Sequence, residues 1–292
     1  MGDFFQLLSD PHGGIFLRQA LVVALAASVA FGIMGTYVVA KRISSLAGAI
    51  AHSALGGIGA AHYVQERMSI TWIEPLHGAL IAALFSAFLI GFVTLYARER
   101  EDTIISAIWV TGMSMGLILL KLSGAKSVDM MSYILGDILL VSPSDLWLLL
   151  ALDAVVVALA LIFYSKFVAI CFDQEFAELR GVRVRVYYFL MLALVAISII
   201  LLMNLVGIVL VIALLVLPAA FAARFANRLH TMMTLSILAC MAFVTVGMGV
   251  SVPYDIPAGA CIAAVAAAAY FIVLVGHSLK RRISRPHVSP KL

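Results

Sequence analysis

One imidazole stands inside a long run of small and apolar residues: His52, within Ser44-Ser45-Leu46-Ala47-Gly48-Ala49-Ile50-Ala51-His52-Ser53-Ala54-Leu55-Gly56-Gly57. A titratable ring at bilayer depth is costly enough that it faces a bundle interior or a wet cavity, and imidazole is also a common ligand for borderline transition metals. A hydrogen bond to a neighbouring helix is the alternative, and residue type alone leaves both roles open. Counting from Ile43 at about 1.5 Å per residue puts His52 roughly 14 Å deep, near the midplane of a roughly 30 Å hydrocarbon core. Small residues around it, among them Gly48, Ala51, Gly56 and Gly59, permit close helix contact or leave an open lumen.

Other chemistry-bearing residues are sparse. Met113 and Met115 are soft donors, but methionines in apolar helices mostly pack. Cysteines 171, 240 and 261 are odd in number and widely spaced, which suggests neither a disulfide framework nor a cysteine metal site. Asp153 is the one acid within the apolar runs, expected about five residues below the outer end of its helix. That gives a proton relay little to stand on. Ser123-Gly124-Ala125-Lys126-Ser127 lacks the glycine before lysine of a phosphate loop, so nucleotide hydrolysis, if used, belongs to another chain. No nucleophile and base pair appears, and an enzyme is not expected.

The elements that must position His52 are membrane helices. The chain is 64% hydrophobic and 12% charged, outside the range of soluble domains. Apolar runs near 20–40, 76–97, 104–120, 146–164, 187–203, 205–222, 232–250 and 257–276, with a small-residue run at 43–63, predict an all-α polytopic bundle of eight or nine spans. The uncertain pair is 187–222, where Met203-Asn204-Leu205-Val206-Gly207 is a tight connection. Residues 1–292 form a single transmembrane domain. With the N terminus outside, only Arg18, Arg67, Lys121 and Lys126 of the 19 basic residues fall on the outer side. The remainder, including the basic tail 280–292, lie inside, which favours nine crossings. Asp3, Asp10 and Pro11, with no basic stretch, argue against a cleaved signal peptide.

The inner segment 171–186 is the longest stretch of mixed charge. It predicts a short amphipathic helix: Asp173 caps the start, Phe176 and Leu179 share a face, and Gly181 ends it in the left-handed conformation. Glu175 and Glu178 add to an acidic character that an anionic leaflet would repel, so a protein groove is the better partner. Outside, 129–145 reads as a re-entrant or surface-lying helix over an external mouth, with Asp129 and Asp137. A second outer turn, Pro253-Tyr254-Asp255-Ile256-Pro257, adds Asp255, whose alternative role is a helix N-cap.

Six ordered segments together resemble the permease subunits of ABC importers for divalent metals, a family of zinc, manganese and iron permeases, most nearly the ZnuB-type zinc permeases. They are Lys41-Arg42-Ile43-Ser44 before the His52 helix, Glu101-Asp102-Thr103, the run from Asp129 through Gly136-Asp137, Pro143-Ser144-Asp145-Leu146, Gly207-Ile208 through Leu217-Pro218-Ala219-Ala220 followed by Arg224, and Tyr254 through Gly259. The resemblance implies a transport subunit of the bacterial inner membrane that moves zinc or a related divalent cation inward. No permanent cofactor is implied. Its implied partners are two ATPase subunits that bind ATP, an external metal-binding protein and a second permease copy, with no nucleic acid. Segment 171–186, with Asp173, Glu175, Phe176, Glu178, Leu179, Arg180 and Gly181, becomes the coupling helix. A permease for an organic metal complex and an ATP-independent carrier are the alternatives.

In the family an aspartate commonly precedes the membrane histidine by four residues, on the same helical face. Here that position is Gly48, and Val110 stands where zinc-type members can carry a second histidine. His52 is therefore expected to touch the cation in transit without storing it. Gly48→Asp is expected to tighten binding and slow release.

Overall fold

A computed structural model describes residues 15–70, 72–96, 101–124, 143–254 and 256–283. These form eleven helices and no strand: α1 (Ile15–Ala40), α2 (Ser44–Met68), α3 (Pro75–Tyr96), α4 (Glu101–Ser123), α5 (Pro143–Ile162), α6 (Tyr164–Phe172), α7 (Gln174–Leu179), α8 (Val184–Val206), α9 (Ile208–Ala222), α10 (Leu229–Tyr254) and α11 (Ala258–Ile283). The expected all-α bundle is present. Five helices, α1, α3, α4, α10 and α11, are long and apolar enough to cross a bilayer. A sixth span arises if the α5–α6 pair is counted as one broken crossing.

The difference from eight or nine has local causes. α2 is 25 residues long, but its glycines, serines and polar C-terminal end dilute its hydropathy. α9 has only 15 residues, about 22 Å of helix, short of a roughly 30 Å core. Gly207, at φ 79° and ψ 161°, divides α8 from α9 in a backbone region open essentially to glycine. The run 146–164 also conceals a break: α5 stops at Ile162 and α6 leaves at 69°. Because α5 begins at Pro143, Asp153 lies ten residues into its helix, deeper than the five expected from the apolar run.

α2 is the central strut. It packs most extensively on α4 and then on α3, whereas α3 and α4 touch each other little. Side chains as small as hydrogen make this possible. A Cβ on Gly56 would stand 2.8 Å from the Gly112 carbonyl oxygen, and one on Gly116 would stand 2.6 Å from that of Leu55. Gly57 and Gly78 meet backbone to backbone in the same way on the α3 side. Small residues let membrane helices exchange dispersion contacts at short range where no hydrophobic force drives them together. Across the bundle, α1 packs on α9 and α10, with Gly32 against Ile237 and Gly35 against Leu215.

Candidate functional site

His52 is the ninth residue of α2 and is half-buried. Its imidazole stacks on the indole of Trp109 in α4, with ring centroids 4.9 Å apart and planes inclined by 21°. Nδ1 is buried and has no hydrogen-bond partner. That matters for its strength as a ligand: a metal-binding histidine ordinarily donates its second ring N–H to a carboxylate or carbonyl, which fixes the tautomer and raises basicity. Among the described residues, His52 Nδ1 has no such support. Among the described residues, no group of three or more His, Cys, Asp or Glu side chains converges to hold a cation.

The same indole accounts for Gly48. A Cβ built on Gly48 falls against the Trp109 ring, 2.5 Å from Cη2 and closer still to Cζ3. Gly48 is therefore more than a missing ligand, because the space over it is filled. The expected Gly48→Asp gain cannot come from that change alone unless Trp109 moves. By family resemblance position 110 draws attention in the sequence, and its neighbour Trp109 does not. Val110 points away from α2 and is 63% exposed. One signal was available: tryptophan favours membrane interfaces, and Trp109 is the ninth residue of α4, about 12 Å in. Met113 packs against the core and Met115 is exposed.

Segment 171–186 folds as a compact helix–turn connection between α6 and α8. α7 is a six-residue helix whose start is capped by Asp173, its carboxylate accepting the Phe176 N–H at 2.9 Å. Gly181, at φ 77°, turns the chain into α8. The helix expected over 171–186 is thus confined to its middle: Cys171 and Phe172 end α6, and Val184 begins α8. Ala177 is buried beneath, while Phe176 and Leu179 are 51% and 87% exposed. Arg180 lies over the Phe176 ring at 4.9 Å, and Glu175 and Glu178 are exposed. α6 is pinned to the bundle by Phe167, edge-on to Tyr37 of α1, while the Tyr37 hydroxyl donates to the Ala160 carbonyl at 3.0 Å.

The proposed external mouth is not described structurally. Asp129, Asp137 and Asp255 lie outside the described residues, as does most of 129–145; its last three residues, Pro143 to Asp145, open α5.

Comparison with known proteins adds a lineage to this geometry. A 278-residue alignment, 94% of this chain and 92% of the other, is 39% identical to a "probable metal transport system membrane protein" of Chlamydia muridarum. The manganese transport system membrane protein MntC of Halalkalibacterium halodurans is 30% identical over 263 residues, 90% of this chain and 86% of its own. The structure of PsaBC from Streptococcus pneumoniae in complex with Fab superposes with a TM-score of 0.80 at 26% identity, covering 93% of this chain and 94% of that one. The model of the ABC 3 transport family matches residues 15–277. The chain therefore belongs to the ABC 3 transport family, as a membrane-integral transport component.

Proposed function

We propose that this protein is the permease of an ATP-driven importer that carries a divalent metal cation into the cytoplasm, with manganese the first cargo to test. The family match over residues 15–277 carries the reading, and the metal-transport names of its relatives supply the cargo class. The cation named among the relatives cited above is manganese, which moves the emphasis away from the ZnuB-type zinc permeases. His52 serves as a transit ligand on α2, and α7 engages one of two ATPase subunits. Asp129, Asp137 and Asp255 receive the cation from an external binding protein. The N terminus lies outside and the basic C-terminal tail inside.

A second permease copy completes the assembly, a reading that the family match supports.

The deciding experiment is reconstitution of this chain with its ATPase and binding protein in vesicles, measuring uptake of manganese, zinc and iron(II) with and without ATP. Uptake of one cation that requires both ATP and the binding protein is expected. Uptake that proceeds without ATP would overturn the proposal.

A further inference from the structure

Gly48 and Trp109 come from different helices, yet they fill one another's space. The indole edge lies where the first side-chain atom of any residue at 48 would stand, and its face lies on His52. One turn further along, a Cβ on Gly112 would stand 2.6 Å from the Ser53 Cα, so the α2 and α4 backbones are already in contact. The two helices leave no spare room at this level, and a larger residue at 48 requires the indole to rotate off the imidazole or α2 and α4 to part. Trp109 is packed against the hydrophobic core, which opposes that rotation.

We infer that Trp109 is a positioning residue of this pathway: it fills the space one helical turn from His52, excludes a carboxylate at position 48, and leaves the imidazole without a partner ligand from that position. The consequence is chemical. Carboxylate oxygen suits hard cations such as Mn²⁺, whereas imidazole suits zinc, copper, iron and nickel. With a carboxylate at 48 excluded and Nδ1 unsupported, the imidazole grips divalent cations weakly and leaves selection to other parts of the importer. Weak grip also favours passage, since conduction requires binding loose enough to leave. Trp109 acts as a positioning residue, holding the imidazole ring by its face.

This inference rests on His52 lying on the cation route, and the test separates the two claims. Gly48→Asp, Trp109→Ala, Trp109→Phe, the Gly48→Asp/Trp109→Ala double variant and that double variant with His52→Ala would be purified with the ATPase subunit. Binding of Mn²⁺ alone and of Zn²⁺ alone would be measured by equilibrium dialysis. Gly48→Asp by itself should leave affinity near the parent value. The double variant should bind about 10–100-fold more tightly, with the larger gain for Mn²⁺, and His52→Ala should abolish that gain. Trp109→Phe should keep cation binding weak, because a ring still covers position 48.

A thermal-stability cycle guards against misfolding. Gly48→Ala should destabilise the parent and be tolerated in Trp109→Ala, and the two changes should be strongly non-additive. Additive effects, a Gly48→Asp variant that binds as tightly as the double variant, or a folded double variant with no gain would each overturn the role of Trp109. Full transport by His52→Ala would instead overturn the pathway reading, leaving the steric claim to the stability cycle.

Discussion

The carboxylate of Asp173 accepts the backbone N–H of Phe176 at 2.9 Å, and this bond starts a helix, α7, that leaves Phe176 and Leu179 exposed. Phe176 and Leu179 expose large surfaces on a helix too short to be stable alone, which is the form expected of a part that docks into another protein. Changing Phe176 and Leu179 together to Asp should reduce ATPase co-purification at least about tenfold, or ~1.4 kcal/mol, with membrane insertion intact. Unchanged co-purification would remove the coupling role. Asp173→Ala should act more mildly, loosening the helix by about 1 kcal/mol and lowering transport-coupled ATPase activity in proportion.

His52→Ala should lower cation flux in reconstituted vesicles about tenfold while docking of the external binding protein stays near the parent value. The imidazole is a half-buried group on the central helix, remote in sequence from the outer segments 129–145 and 253–257. Equal losses of docking and flux would assign it to packing instead.

The glycine seam yields a contrast within one protein. Gly57→Leu forces a side chain into the Gly78 backbone, and overpacking of this kind costs about 1–3 kcal/mol or more. Gly276→Ala meets nothing within 4 Å and replaces a helical glycine, so it should be neutral or stabilising by about 0.5–1 kcal/mol. Thermal unfolding of the purified permease checks both. Similar behaviour of the two variants would mean that α2 and α3 do not approach as closely as described.

Topology can be read with an impermeant thiol reagent. In a background lacking Cys171, Cys240 and Cys261, Val288→Cys should be labelled only after the membrane is opened. Its neighbours Lys280, Arg281, Arg282, Arg285 and Lys291 form the densest basic cluster in the chain, and such clusters stay cytoplasmic. Labelling from outside would reverse the orientation of every helix.

By itself the sequence determined that this chain lives in a membrane, that His52 sits nine residues into a small-residue helix, and that Asp173 and Gly181 bracket a short helix. Each of these depends on hydropathy, on spacing along one helix, or on a cap three residues away, all of them local properties. Tertiary structure decided the rest. The bend at Phe163 was hidden because Ile162-Phe163-Tyr164 contains no proline or glycine and hydropathy continues through it. The meaning of Gly48 was hidden because the ring that fills its space belongs to another helix, brought there by the close approach of α2 and α4. A missing ligand and an occupied ligand position look alike in one dimension; only packing distinguishes them, since the decisive quantity is the volume left between two backbones.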